Sequence, residues 1–146
     1  MKIHSVRIQN FRSFKDETIV FDDYNCLVGP NGAGKSTVLN ALNVFFRNSQ
    51  SSSTEVLELC EEDFHCKDTS SPIRITVTFS DLSDSANEAL KDYVREDLLV
   101  VSAVAEWSAE NNCASVSQKG SRLGMVAFAP FFKAAGEVAV AELKVL

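Results

Sequence analysis

Apolar and polar positions alternate at the start of the chain. Ile3, Val6 and Ile8 are apolar, and Lys2, His4, Arg7 and Gln9 are polar. A period of two reads as a strand with one buried face, here with one irregular step. Asn10-Phe11-Arg12-Ser13-Phe14 reads as a tight connection, and Thr18-Ile19-Val20-Phe21 as a second strand that ends in a turn at Asp22-Asp23. Tyr24 to Val28 is expected to form a third, short apolar strand running straight into glycines. From Ser36 the period lengthens. Val38, Leu39, Ala41, Leu42, Phe45 and Phe46 recur at the spacing of one helical face, so a helix is expected to end near Arg47-Asn48. The polar run Asn48-Ser49-Gln50-Ser51-Ser52-Ser53 then reads as a loop.

Further along, Glu55 to Phe64 is ambiguous and fits a short helical turn. Ile73, Ile75, Val77 and Phe79 alternate with Arg74, Thr76 and Thr78, the clearest strand pattern in the chain. Ser85 and Glu88 have capping-box spacing, ahead of a helix carrying Ala86, Ala89, Leu90, Tyr93 and Val94 inward. Leu98 to Trp107 is a strand, Glu110-Asn111-Asn112 a hairpin turn, and Cys113 to Gln118 the returning strand. Ala127 to Phe132 is apolar and broken by Pro130, and Gly136 reads as a helix stop or a loop.

The 146 residues amount to one domain, with the 45% hydrophobic and 23% charged content of an ordinary soluble globular protein. No apolar run has the ~18–20 residues that span a bilayer. Met1 to Ser5 lacks a secretory apolar stretch. A cytoplasmic protein without a membrane partner is expected. The net charge of −6 argues against a nucleic-acid grip over a whole face, so any such contact must be local. Cys26, Cys60, Cys66 and Cys113 are expected to be reduced thiols. Cys60, His65 and Cys66 lie close together but lack a second pair of ligands at zinc spacing.

One segment changes the picture. Gly29-Pro30-Asn31-Gly32-Ala33-Gly34-Lys35-Ser36 matches G-x-x-x-x-G-K-[S/T], between an apolar stretch and an amphipathic helix. A loop that wraps an anion must turn its N–H groups toward one centre. Gly29, Gly32 and Gly34 are expected to supply the unusual dihedrals and close approach this requires. The helix N-terminus adds unpaired N–H groups and its positive dipole end. Lys35 is expected to lie between the β- and γ-phosphates, Ser36 to ligate Mg²⁺, and Thr37 to border the α-phosphate side.

Hydrolysis needs an acidic residue for Mg²⁺ and a group that orients water. Val100 to Glu106 is a superficial candidate for the acidic strand, but it lacks a terminal Asp and is better read as a plain strand with an exposed Glu. Leu82-Ser83-Asp84-Ser85 faintly resembles a Leu-Ser-Gly-Gly signature and is better read as a helix cap. Glu61-Glu62-Asp63 reads as a solvated charge run. No paired acidic clusters suit two-metal nuclease chemistry, and no catalytic residue is assigned.

The pattern Lys2-Ile3, Val6, Ile8, Asn10-Phe11-Arg12-Ser13-Phe14, followed by Gly29 to Thr37, resembles the RecF/SMC-like branch of ABC ATPases. Within it the chain is most similar to the ATPase region of OLD-family ATP-dependent endonucleases, which include Gabija-type defence nucleases. Asp63-Phe64-His65, Pro72 to Phe79 and Gly136 to Lys144 carry the rest of the likeness. The resemblance implies an α/β P-loop ATPase head with an antiparallel β subdomain, ATP and Mg²⁺ as cofactors, and DNA as the partner of the full-length family. It also implies two heads closing on ATP, hence a homodimer or a complementing fragment. Asn31 matches a position near the γ-phosphate, and Arg12 an arginine that reaches the nucleotide. The resemblance further implies that residues 1–146 are the N-terminal part of the domain, without signature motif, acidic Walker B strand or Toprim nuclease. An unfinished sheet of that kind is expected to aggregate or need a partner. Two alternatives stay open: a RecF/SMC-like repair ATPase without nuclease activity, and an inactive nucleotide-binding remnant.

Overall fold

The computed structural model describes residues 1–47 and 58–121. The expected loop at 48–53, the first residues of the ambiguous 55–64 stretch, and the readings at Ala127 to Phe132 and Gly136 to Lys144 lie wholly or partly outside them.

Among the described residues the chain forms a seven-stranded sheet with one long helix on one face. The strands are β1 (Lys2–Phe11), β2 (Phe14–Val20), β3 (Glu58–Leu59), β4 (Ile73–Ser80), β5 (Val94–Arg95), β6 (Leu98–Ser108) and β7 (Cys113–Gly120). The helices are α1 (Lys35–Phe46) and α2 (Asp84–Ala89). The sheet order is β2-β1-β4-β6-β7-β3, with β5 paired to β6, and every pairing is antiparallel. The irregular step in the first strand is a register shift between Ile3 and Ser5.

Register sorts the two faces. Val6, Val77 and Val101 stand opposite one another, as do Ile8, Ile75 and Ala103. These six side chains are buried in one core cluster with Val38, Ala41, Val44 and Phe45 of α1. One step along, Arg7, Thr76 and Ser102 occupy the other face, where Thr76 and Ser102 hydroxyls bond at 2.8 Å. Side chains of a strand alternate between faces, so the period-two pattern of β4 converts directly into one buried and one polar surface.

Four local readings differ from the structure. Tyr24 to Val28 is not a strand; Tyr24 is 98% exposed and Val28 87%. An extended segment becomes a strand only by pairing its backbone groups, and no described strand pairs with this one. The helical face is Val38, Ala41, Val44 and Phe45, while Leu39 and Phe46 are exposed. The cap of α2 is Ser83, whose side chain accepts from the Ala86 N–H, and not Ser85 with Glu88. α2 also stops at Ala89, so Val94 belongs to a hairpin, paired with Leu99. Its two turn residues, Glu96 and Asp97, both have positive φ, the geometry of a two-residue hairpin turn. No glycine announced that turn in the sequence.

The ends of α1 are held differently. At the C-terminus, Gln118 of β7 donates to the Phe45 carbonyl at 2.8 Å, and the Arg47 N–H bonds back into the last turn. The N-terminus has no side-chain cap and no acidic residue in its first turn.

Ile75 sits at the centre of the sheet with no exposed surface. Ile75→Ala is expected to lower unfolding stability in urea by about 2–5 kcal/mol. Leu39→Ala, on the exposed side of α1, is expected to change it by less than about 0.5 kcal/mol. Equal effects of the two would contradict the assigned face of the helix.

Candidate functional site

The candidate site is the loop Gly29 to Ser36, which leads into α1. Ala33 N–H bonds to the Pro30 carbonyl at 3.3 Å and closes a small turn. Val38 N–H bonds to the Gly34 carbonyl at 3.1 Å and is the first backbone bond of the helix. The N–H groups of Lys35, Ser36 and Thr37 precede that bond and have no intrahelical acceptor. With no side-chain cap and no acidic residue in its first turn, the positive end of α1 is uncompensated among the described residues.

The glycines have different reasons to be glycines. Gly32 has φ +85° and open space where a Cβ would sit, so only its backbone conformation demands glycine. Gly34 has φ +94° and is also pressed by Phe14, whose Cζ would lie 2.7 Å from a Cβ there. Gly29 has neither constraint, since an added Cβ would only meet Ala33 at 3.5 Å. Close approach therefore matters at Gly34, and the approaching group within the chain is an aromatic ring.

The Lys35 ammonium folds back over the loop and donates to the carbonyls of Gly29 and Pro30, both at 2.7 Å. Pro30, Asn31, Gly32, Ala33 and Ser36 are exposed around it. Among the described residues the Ser36 hydroxyl takes no hydrogen bond, while Thr37 Oγ1 accepts from Ser13 Oγ at 3.3 Å. This arrangement fits a phosphate group: a cation at the loop, an open helix N-terminus beside it, and no ion pair to either among the described residues. Ser36 is the hydroxyl available to hold Mg²⁺.

Ser13 and Phe14 reach the loop because the β1–β2 turn abuts it. That turn is held from the other side. Arg12 has φ +50° and lies over the Phe11 ring at 5.4 Å. Its Nε donates to Asp63 Oδ1 at 2.9 Å, with Nη2 2.8 Å from the same oxygen. Its backbone N–H bonds to the Asp63 carbonyl at 2.8 Å. His65 Nδ1 lies 2.8 Å from the Arg12 carbonyl. A carbonyl can only accept, so Nδ1 carries the proton. Asp63 Oδ2 in turn accepts from the N–H and thiol of Cys60, at 3.1 and 3.3 Å. Partial burial, and then the Asp63 carboxylate, push the Cys60 thiol up from its ordinary value, so it stays a donor.

Asp63 is the residue that the sequence reading misplaced. Glu61 and Glu62 are exposed, but Asp63 is buried at 4% exposure in a short 3₁₀ turn, Glu61–Asp63. The available signal was its neighbour Phe64, which is also buried and bridges to Phe11. Arg12, expected at the nucleotide, has its guanidinium on Asp63, and its neighbours Ser13 and Phe14 make the contacts to the loop. Glu106 is exposed and pairs with Lys119 at 3.6 Å, as a plain strand residue would. Among the described residues no group of three or more His, Cys, Asp or Glu converges as a metal site, and no helix is long and apolar enough to cross a membrane.

A glycine loop entering an uncapped helix beside an antiparallel sheet defines a P-loop protein with the fold of an ABC-type ATPase head. The chain belongs to the AAA ATPase domain family, whose model matches residues 1–123. It is 30% identical over 66 residues to the DNA replication and repair protein RecF of Rickettsia bellii. That match covers 44% of this chain and 18% of RecF. It is 52% identical over 44 residues to the chromosome partition protein Smc of Halobacteriovorax marinus, covering 29% of this chain and 4% of that protein. The chain thus spans less than a fifth of these curated relatives. A solved structure from work on ATP-driven dimerization and DNA-stimulated activation of SMC ATPases superposes with a TM-score of 0.53 at 18% identity. It covers 85% of this chain and 73% of that one, a likeness of fold.

The Arg12–Asp63 pair yields a measurable coupling. Asp63→Asn and Arg12→Ala are each expected to destabilise the chain by roughly 1–3 kcal/mol, because each strands a partner. The double variant is expected to lose less than the sum by at least ~1 kcal/mol. Additive losses in denaturant unfolding would mean the two side chains act independently.

Proposed function

We propose that the chain binds the triphosphate of ATP with Mg²⁺ in the loop Gly29 to Ser36, as the nucleotide-binding N-terminal lobe of a DNA-associated ATPase. The observation that carries this is the uncapped start of α1 facing the Lys35 ammonium, with Gly32 and Gly34 in the left-handed region. The N–H groups of the loop and of Lys35 to Thr37 hold phosphate oxygens. Lys35 exchanges its two carbonyl acceptors for the phosphates, and Pro30, Asn31 and Ala33 keep the loop open to solvent. Ser36 holds Mg²⁺, which when bound neutralises phosphate charge. Any contact from Arg12 to the nucleotide is oriented by the ion pair that holds its Nε and Nη2 on Asp63.

Residues 1–146 supply the N-terminal part of the ATPase domain in this reading, and the acidic strand and signature motif come from elsewhere. The solved SMC ATPase, described by its ATP-driven dimerization and DNA-stimulated activation, supports a second head and DNA as partners. A cytoplasmic setting belongs to the same proposal. The narrower reading, an OLD-type endonuclease, is supported by the residue resemblance alone.

Calorimetric titration with Mg-ATP tests the loop. The wild-type chain is expected to bind, and Lys35→Ala to bind at least about 100-fold more weakly, roughly 2.7 kcal/mol. Unchanged affinity in that variant refutes the assignment. Steady multiple-turnover hydrolysis by the isolated chain would reveal an acidic partner within it.

A further inference from the structure

The glycine loop has little of its own to hold it. Its internal backbone bond, from the Ala33 N–H to the Pro30 carbonyl, is long at 3.3 Å. The two Lys35 bonds to the loop carbonyls are given up when the ammonium turns to a phosphate. Upstream, Tyr24 to Val28 pairs with no described strand. Among the described residues, support therefore comes from α1 and from the β1–β2 turn. There the Phe14 ring closes on Gly34, and the Ser13 hydroxyl reaches Thr37 Oγ1 at 3.3 Å.

That turn rests on a platform. Two short 3₁₀ turns, Glu61–Asp63 and His65–Lys67, flank Phe64. Phe64 is buried, bridges to Phe11 and meets the Trp107 ring edge-on at 5.8 Å. With Phe64 anchored in this way, its two neighbours hold a single residue, Arg12. Asp63 takes the Arg12 guanidinium and N–H, and His65 takes the Arg12 carbonyl. Arg12 has φ +50°, a conformation that persists in an L-residue only where its surroundings hold it. Bonds on both its N–H and its C=O fix the peptide planes on either side of its Cα. They thereby fix the direction in which Ser13 and Phe14 leave it.

We infer that Asp63 and His65 are positioning residues of the nucleotide loop, setting its affinity through Arg12, Ser13 and Phe14. The inference rests on the reading of that loop as an ATP site. Phosphate binding needs several N–H groups aimed at one centre. A loop held in that shape only part of the time binds more weakly in proportion to the fraction lost. His65 is the cleaner probe, because its bond is to a backbone carbonyl and its removal leaves the Arg12–Asp63 pair in place.

The experiment is calorimetric titration of the full chain with Mg-ATP, with urea unfolding of each variant to establish that it is folded. His65→Ala is expected to bind at least about fivefold more weakly than the wild type. His65→Asn, whose amide N–H stands in for the Nδ1–H, is expected to recover most of that affinity. Asp63→Asn is expected to weaken binding in the same direction. Should His65→Ala fail to fold, His65→Phe keeps a ring, removes the donor and carries the same expectation. Leu90→Ala removes a buried side chain at the end of α2, part of neither the turn nor the loop, and is expected to lose stability at wild-type affinity. In the nucleotide-free chain, the amide resonances of Gly34 and Thr37 are expected to shift in His65→Ala and to return in His65→Asn. Unchanged affinity in folded His65→Ala and Asp63→Asn overturns the inference alone, provided the wild type binds. Equal weakening in Leu90→Ala also overturns it, since the loss would then be one of general stability. Tighter binding by Asp63→Asn does the same, because the ion pair would then restrain the site. A wild type that binds no Mg-ATP removes the ATP reading and this inference together.

Discussion

Val38, Ala41, Val44 and Phe45 leave water against the Val6–Val77–Val101 and Ile8–Ile75–Ala103 rows of the sheet. Burial of this kind contributes roughly 1.5–3 kcal/mol for each large side chain. It sets the axis of α1, and with it the direction in which the first N–H groups of the helix point. The helix is stabilised along its length and at its C-terminus by Gln118, so its N-terminus can stay uncapped. A surface helix would ordinarily gain about 1 kcal/mol from a Ser, Thr, Asp or Asn cap at that end. Glycine stands there instead, and the helix end remains available to an external anion.

The β1–β2 turn joins this core to the site. One side of the turn presses Phe14 and Ser13 against Gly34 and Thr37. The other is tied down by Asp63 and His65. Arg12 has a left-handed backbone conformation that costs an L-residue of order 1 kcal/mol, and the bonds to its N–H, its carbonyl and its guanidinium hold it there. The position of the loop is thus fixed by a network whose members come from three separated segments of the chain.

Several large apolar residues stay largely outside this core, although Phe46 keeps ring contacts with Phe45 and Phe79. Tyr24, Val28, Leu39 and Phe46 are exposed, and Tyr24 to Val28 lacks the strand pairing its composition favours. The expectation of partner dependence rested on an unfinished sheet, and exposed apolar surface is a separate mark of an interaction site. The relatives to which the chain is similar are much longer than it is, as the shares of RecF and Smc that it matches make plain.

What the sequence determined by itself was local or strictly periodic. The glycine-lysine motif, the alternation of β1 and β4, and the helical period after Ser36 each encode their element within a few residues, because backbone geometry repeats at 2.0 and 3.6 residues. Other features were decided only in three dimensions. A carboxylate in an acidic run became the buried partner of Arg12, an apolar stretch failed to become a strand, and Glu96-Asp97 turned the chain without glycine. Each of these depends on which distant group arrives to share a hydrogen bond or a charge, and no pattern confined to neighbouring residues can encode an arrival.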